Sequence, residues 1–496
     1  MTNTTDRKPL YLMLAIVALG LALRLPGIGY SFYGDEQFSL LRDSKELITT
    51  TEDRFRPVFF TLLYLWRQIG FSGEVGLRLL PVIFGLLQIP VAFNIGSRLG
   101  GRKLAVAFSV LIAASPMLIE FSQELRMYSL VALCALLQVW ALLRLVERES
   151  LWRWVAFVAI ALLGLYTHLH YWLFLGGVAL SLLRERKTIP LWKSIAAMAA
   201  VVLLYLPNIP NLMTFVAVRS GDYSAVHLPS AIPKLVAAVT VGFNYFALAQ
   251  QSALGRPIGA SDLLRNLMLV VLAAIPAGIL FLTFVRVQWR KRPDRSLSLC
   301  YELFIVPTLL AFAATILMKQ YWLQPKYIIF VAPFALLLIA LLYLAISKPW
   351  LKTLAVVLGA GVGIIALLHF WNPEQYGRRE NWRAATAMLR GASDSQTALV
   401  LIQEGYPLLR YYWPESKSFE KMIEVPSIKE ANPAYVDTLR QLLTGKQTVF
   451  YLRWDVVQNS KDPRDILPQA LDQIGSRTQE YRYNPRLICY QWRIRS

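Results

Sequence analysis

Two adjacent carboxylates, Asp35 and Glu36, stand in the stretch YSFYGDEQFSL, directly after a strongly apolar run. Residues able to do chemistry recur beside the ends of later apolar runs. Arg56 lies in the same loop; Glu120, Glu124, Arg126 and Tyr128 lie in EFSQELRMYS; His168 and His170 lie in THLHYW; Lys319 and Lys326 lie in KQYWLQPKY. The chain has only 4 histidines, and two of them fall in this set. A carboxylate can take the proton of an attacking hydroxyl, and cations can stabilise a phosphate as it departs. Transfer of a sugar from a polyprenyl phosphate needs both at a membrane face. The anomeric carbon is already activated by its phosphate, so one base and a few cations suffice for a direct, inverting displacement.

Each of these residues also has a plainer use. Arg126 and Lys326 can snorkel to an interface. Tyr128, Tyr171, Trp172, Tyr321 and Trp322 can form an aromatic belt. Acids are common in loops that leave a membrane. His168 and His170 are two positions apart, on different faces of a helix, whereas an i, i+4 pair would suit a metal. What the plainer uses leave unexplained is the repetition of carboxylate plus cation on one membrane face.

The elements that must position these residues are transmembrane helices. Of 496 residues, 56% are hydrophobic and 17% charged, with a mean hydropathy of +0.45; soluble domains run nearer 45–50% apolar and about 25% charged. About eleven runs approach the roughly 20 apolar residues a span requires: 10–27, 75–96, 103–119, 128–146, 152–168, 170–183, 191–213, 264–286, 299–318, 327–347 and 352–370. The first has no small-x-small cleavage site and reads as a retained helix. With the N-terminus (Arg7, Lys8) in the cytoplasm, loops 97–103, 144–153, 184–193, 286–295 and 348–352 are all basic, as the positive-inside rule requires. The net charge of +20 is thereby a topology signal, and no nucleic-acid partner is expected. Span interiors nearly free of charge argue against an ion-coupled transporter.

The opposite, extracytoplasmic face receives a long first loop (28–74), loops 120–129, 167–172, 208–262 and 319–327, and everything after 371. RPVFFTLLYLWRQIG (56–70) has the spacing of an interfacial helix, and 233–252 is expected to behave alike. Beyond 371 the character changes. QTALVLIQ, QTVFYLRW and RLICYQWRI read as strands, while NWRAATAMLR and YVDTLRQLLTG read as helices. The expected organisation is a polytopic α-helical membrane domain, 1–370, and an extracytoplasmic α/β domain, 371–496. The 3 cysteines form no CxxC, so neither a thiolate metal site nor a disulfide framework is expected.

GDEQFSL, RPVFFTLLYLW, GEVGLRLLPVIFGLLQIPVAFNIGSRLGG, SPMLIEFSQELRMYSL, LYTHLHYW and QPKYIIFVAPFALLL follow one another in this order. In order and spacing the chain resembles the GT-C membrane glycosyltransferases over roughly residues 10–350. The similarity is to the bacterial branch related to protein O-mannosyltransferases and lipid A aminoarabinose transferases (families 39 and 83). The resemblance implies a GT-C fold and an inverting transfer from a polyprenyl-phosphate sugar to an acceptor hydroxyl, at the outer face of the cytoplasmic membrane. It implies Asp35 as general base with Glu36 as companion. Arg56, Glu124, Arg126, Tyr128, His168, His170 and Lys326 would line the donor-phosphate site. Relatives have a basic residue before a Pro-Pro pair at Arg56; here the second proline is Val58. Some members of the clan require a divalent metal. No DxD occurs here, so the expectation is no required cofactor, with magnesium or manganese as the alternative. The acceptor, a glycolipid, polysaccharide or protein, is left open. A flippase or transporter of lipid-linked glycans is the competing reading.

Overall fold

A computed structural model describes residues 8–40, 54–219, 235, 238–239, 260–290, 294–318, 323–372, 379–402, 406–415, 422–425, 433–455, 458, 461–484 and 486–495. The chain forms two compact units. One comprises Met1–Ile28 with Arg42–Trp371; the other joins Gly29–Leu41 to Asn372–Ser496.

The first unit is helical. Five of its helices are long and apolar enough to cross a membrane: Gly73–Ala114, Tyr128–Glu147, Leu191–Thr214, Arg295–Met318 and Pro349–Trp371. Shorter apolar helices are Pro9–Arg24, Leu151–Leu165, Tyr171–Arg184, Val271–Val287 and Ile329–Ala345. Gly73–Ala114 is two helices joined at Gly100 and Gly101, where Gly101 takes φ 70°, a conformation that favours glycine. The halves pack closely: a Cβ on Gly96 would lie 2.7 Å from the Cα of Ala105. The expected interfacial segment 56–70 is a helix over Pro57–Gln68. Most of 233–252, together with Lys319, Tyr321 and Trp322, lies outside the described residues.

Two buried charges within this unit's helices, Arg24 and Glu302, have several hydrogen-bond partners each. Arg24 is fully buried; its guanidinium donates to the carbonyls of Gly20 (3.0 Å), Ala113 (2.9 Å) and Ile112 (3.4 Å) and to Ser122 Oγ (3.1 Å). Pro116 has no N–H to offer the Ile112 carbonyl four residues earlier, and Arg24 supplies that donor. Glu302 accepts from Ser181 Oγ (2.6 Å) and Arg184 Nε (2.7 Å).

The second unit is built on a five-stranded sheet in the order β2-β1-β3-β5-β4: β1 Thr397–Ile402, β2 Met422–Val425, β3 Thr448–Trp454, β4 Gly475–Asn484 and β5 Leu487–Ile494. Strands β2, β1 and β3 are parallel; β5 runs antiparallel to β3 and to β4. Strand β1 is buried at all positions, as a strand covered on both faces must be. Edge strand β4 is mostly exposed and carries Arg477, Glu480 and Arg482, charges that discourage edge-to-edge pairing. Helix Trp382–Gly391 is capped by the Asn381 side chain and buries Trp382, Ala385, Thr386 and Leu389 on one stripe. Helix Ile466–Ile474 buries Ile466, Leu467, Ala470, Leu471 and Ile474. Its first amides, Ile466 (2.7 Å) and Leu467 (3.0 Å), donate to the buried Asp462 carboxylate, which also complements the helix dipole.

Candidate active site

In the first unit, the helix Pro57–Gln68 is anchored at both ends. Near its start, Val58 N–H donates to the Tyr166 carbonyl (3.3 Å); near its end, Trp66 Nε1 donates to the Gly76 carbonyl (2.9 Å) and its ring stacks on Phe71 at 3.8 Å. Arg56 sits at the N-cap of this helix, with its guanidinium 5.4 Å from the Phe55 ring centroid. Phe55 itself is buried, and its carbonyl accepts from Asn208 Nδ2 at 2.7 Å.

The second polar loop follows the short helix Pro116–Ser122. Gln123 Nε2 ties it to the carbonyls of Arg24 and Pro26, both at 2.8 Å. Glu120, Glu124, Arg126 and Tyr128 are all buried. Tyr128 packs edge-on against Phe121 (5.0 Å) and lies 6.0 Å from His168.

His168 and His170 occupy the tight connection between helices Leu151–Leu165 and Tyr171–Arg184. Their rings are 5.0 Å apart, and Tyr327 lies 6.0 Å from one and 5.1 Å from the other. The His170 backbone N–H donates to His168 Nδ1 at 3.3 Å, which leaves the other ring nitrogen of His168 to carry its proton. Lys326 reaches over the Tyr327 ring at 5.4 Å. Burial, His170, Arg56, Arg126 and Lys326, in that order, hold His168 well below its ordinary range. Burial, then Arg56, brings His170 down to about 3. Both imidazoles are therefore neutral at physiological pH. The chain thus brings Arg56, Arg126 and Lys326, drawn from three separate loops, into electrostatic reach of one histidine. Such an arrangement stabilises an anion and disfavours any further positive charge.

Asp35 and Glu36 belong to the second unit. They complete a single 3-10 turn, Gly34–Glu36, whose first residue takes φ 48° and therefore favours glycine. Glu36 is fully buried, and its Oε2 accepts from Tyr33 N–H at 3.1 Å. Asp35 is partly exposed. The turn is held by residues from beyond the last span. Gly34 N–H donates to Glu380 Oε2 (3.0 Å), and Phe32 N–H donates to the Tyr412 hydroxyl (2.8 Å). Arg383 Nη2 donates to the Gly29 carbonyl (2.8 Å) and Arg383 N–H to Ser31 Oγ (3.2 Å). Phe32 meets Tyr411 edge-on at 5.4 Å, and Arg379 covers the Tyr30 ring at 4.6 Å.

Glu380 is the residue that sequence reasoning overlooks. It is a buried carboxyl whose second oxygen accepts from Trp454 Nε1 at 3.4 Å. Burial raises it to about 7, against the opposing pull of Arg486 and the donors Trp454 and Gly34. Its one sequence signal is an acid between cations in GRRENW, just past the last apolar run.

Among the described residues, no group of three or more His, Cys, Asp and Glu side chains could hold a metal ion.

No protein-family model matches the chain, and no curated protein matches it in sequence. Its fold does match solved structures. The oligosaccharyltransferase of Archaeoglobus fulgidus, in its apo form, superposes with a TM-score of 0.54 at 14% identity, over 96% of this chain and 74% of that one. The same archaeon's oligosaccharyltransferase AglB, in complex with an inhibitory peptide and a dolichol-phosphate, gives 0.52 at 14% identity, over 99% and 74%. ArnT from Cupriavidus metallidurans, in the apo state, gives 0.46 at 13% identity, over 96% and 97%. The chain has the GT-C fold and is a multi-pass membrane protein.

Proposed function

We propose that this protein is an inverting glycosyltransferase that moves a sugar from a polyprenyl phosphate to an acceptor hydroxyl at the outer face of the cytoplasmic membrane. The observation that carries the reading is the convergence of Arg56, Arg126 and Lys326 on the neutral His168. Three cations with no competing imidazolium suit a phosphate that accumulates negative charge as it leaves. The GT-C fold supports the reading. So does the nature of the lipid in the AglB complex, a dolichol-phosphate.

In the proposed reaction the Asp35 carboxylate takes the acceptor's hydroxyl proton. The acceptor oxygen bonds to the anomeric carbon from the face opposite the phosphate. The bond from that carbon to the phosphate oxygen breaks, its electron pair leaves with the polyprenyl phosphate, and the anomeric centre inverts. Glu36, whose carboxylate closes the turn, orients Asp35 and does not itself touch the acceptor. Glu124 and Tyr128 shape the donor site beside Arg126, and His168 and His170 supply neutral donors and acceptors. Because the cations supply the charge at the phosphate, the proposed reaction requires no divalent metal. The unit containing Asp35 and the sheet lies outside the membrane in this reading.

The test uses the purified full-length chain in lipid nanodiscs with a panel of synthetic undecaprenyl-phosphate hexoses and pentoses. Membranes of the producing cell serve as acceptor, and release of undecaprenyl phosphate is measured. Asp35→Asn keeps the shape but cannot take a proton, and should cost about 10²–10⁴ in rate. Turnover near the wild-type rate in that variant would remove Asp35 as the base.

A further inference from the structure

The Gly34–Glu36 turn has an unusual source of support. Three consecutive amides precede Asp35, and each donates to a side chain. Phe32 N–H goes to the Tyr412 hydroxyl (2.8 Å), Tyr33 N–H to Glu36 Oε2 (3.1 Å) and Gly34 N–H to Glu380 Oε2 (3.0 Å). A backbone whose donors all end on side chains has no ladder of its own to fix its φ and ψ. Its conformation is therefore set by whatever holds those side chains.

Two of the three partners come from elements beyond the last span. Glu380 lies just before Asn381, the N-cap of helix Trp382–Gly391, and Tyr412 ends helix Pro407–Tyr412. Glu380 is itself fixed from the sheet side by the indole of Trp454 on β3, and Trp454 packs edge-on against Trp382 at 5.1 Å. The chain of contacts runs from β3 through Trp454 and Glu380 to Gly34, the residue before the proposed base. Gly34 adopts φ 48°, which glycine reaches freely, so its own sterics do not fix it there and the hydrogen bond on its amide contributes.

We infer that Glu380 and Tyr412 are positioning residues for Asp35, and that orienting the base is a function of the C-terminal domain. The inference rests on the reading of Asp35 as the base, and it gives the sheet a part in catalysis without any contact to substrate.

The experiment uses the full-length chain in nanodiscs, with Glu380→Ala, Glu380→Gln and Tyr412→Phe. Hydrogen exchange is followed by mass spectrometry over residues 29–40, with β3 and β5 peptides as the fold control. Loss of one hydrogen bond should accelerate exchange of the Gly34 amide about tenfold in Glu380→Ala, and of the Phe32 amide similarly in Tyr412→Phe. The Gln variant keeps an acceptor oxygen and should recover most of the Gly34 protection. Donor kinetics with the undecaprenyl-phosphate panel should show kcat down by about 10- to 100-fold in Glu380→Ala, the cost of a base displaced by about an ångström. KM for the donor should not change, and Glu380→Gln should rescue kcat. If Glu380→Ala loosens β3 and β5 as well, the decision passes to Tyr412→Phe, which removes a single oxygen. Unchanged exchange at Phe32 and Gly34 would overturn the inference, as would faster exchange with an intact kcat. Full turnover by Asp35→Asn is a different result, since it removes the base while the exchange data still decide what holds the turn.

Discussion

Glu380→Gln should flatten the dependence of the C-terminal unit's stability on pH. The carboxyl has an ordinary value of 4.5 and is raised to about 7 in the fold, chiefly by burial, with Arg486 pulling the other way. A raised carboxyl binds its proton more tightly folded than unfolded, so this group's contribution is most favourable below pH 4.5 and declines as pH rises towards 7. At 1.36 kcal/mol for each pH unit, the decline amounts to about 3 kcal/mol. Asp455 and Asp462 are also raised by burial and give a dependence of the same sign, but they are present in both proteins, so the difference between the two curves isolates Glu380. Glutamine accepts through only one oxygen, which adds an offset that does not vary with pH. A native probe exists: Cys489 on β5 is a free, fully buried thiol. Pulsed alkylation of Cys489 across a urea series, read by peptide mass spectrometry on the full-length chain in nanodiscs between pH 4.5 and 8, gives the stability of this unit. Wild-type and variant curves that run parallel across that range would refute the reasoning, and with it the idea that Glu380 holds the turn from a desolvated position.

The other expectations concern the first unit and the membrane. Arg56→Ala, Arg126→Ala and Lys326→Ala should each weaken binding of undecaprenyl phosphate by about 1.5–3 kcal/mol, the worth of a charge-assisted bond; unchanged affinity in all three would reduce these cations to interface anchors. Alkaline phosphatase fused to the C-terminus should be active, because the reading places that domain outside the cytoplasm; a fusion active only in the cytoplasm would invert the topology. Transfer should survive exhaustive chelation, and activity restored only by magnesium or manganese would mean that the acids hold a hard cation.

Against about eleven expected apolar runs, the described residues form five helices of spanning length and five shorter apolar ones; these are legible because the bilayer imposes its own arithmetic of roughly 20 apolar residues, then a polar loop. The break at Gly100–Gly101 is visible as two glycines beside Arg102 and Lys103. Strands β1, β3 and β5 are visible as runs of β-branched and aromatic residues. The short strand β2 has too few residues to declare a pattern. Strand β4, GSRTQEYRYN, is an exposed edge, and exposure removes the apolar alternation by which a strand is recognised. Arg56, Arg126, His168 and Lys326 could be nominated by residue type and membrane face. The neutrality of His168 could not, because it depends on burial and on three cations from separate loops.

What the sequence hides most completely is where the Asp35 segment resides. Chain order assigns it to the first loop of the membrane domain, with a domain boundary near 370. Yet Gly34 is bonded to a carboxyl 346 positions away, and Ser31 and Phe32 to a tyrosine 381 and 380 positions away. Contacts this distant leave no periodicity, since neither partner's local pattern needs the other. Their physical logic is nonetheless simple. A turn of three residues cannot stabilise itself, because ordering its backbone costs about 1–2 kcal/mol per residue. The sheet domain, with its buried β1 and its tryptophan pair, supplies side chains that hold this one. A domain boundary drawn at Trp371 therefore separates the proposed base from the structure that orients it. On the proposal that Asp35 is the base, the C-terminal residues share in the work of the site through the turn they hold.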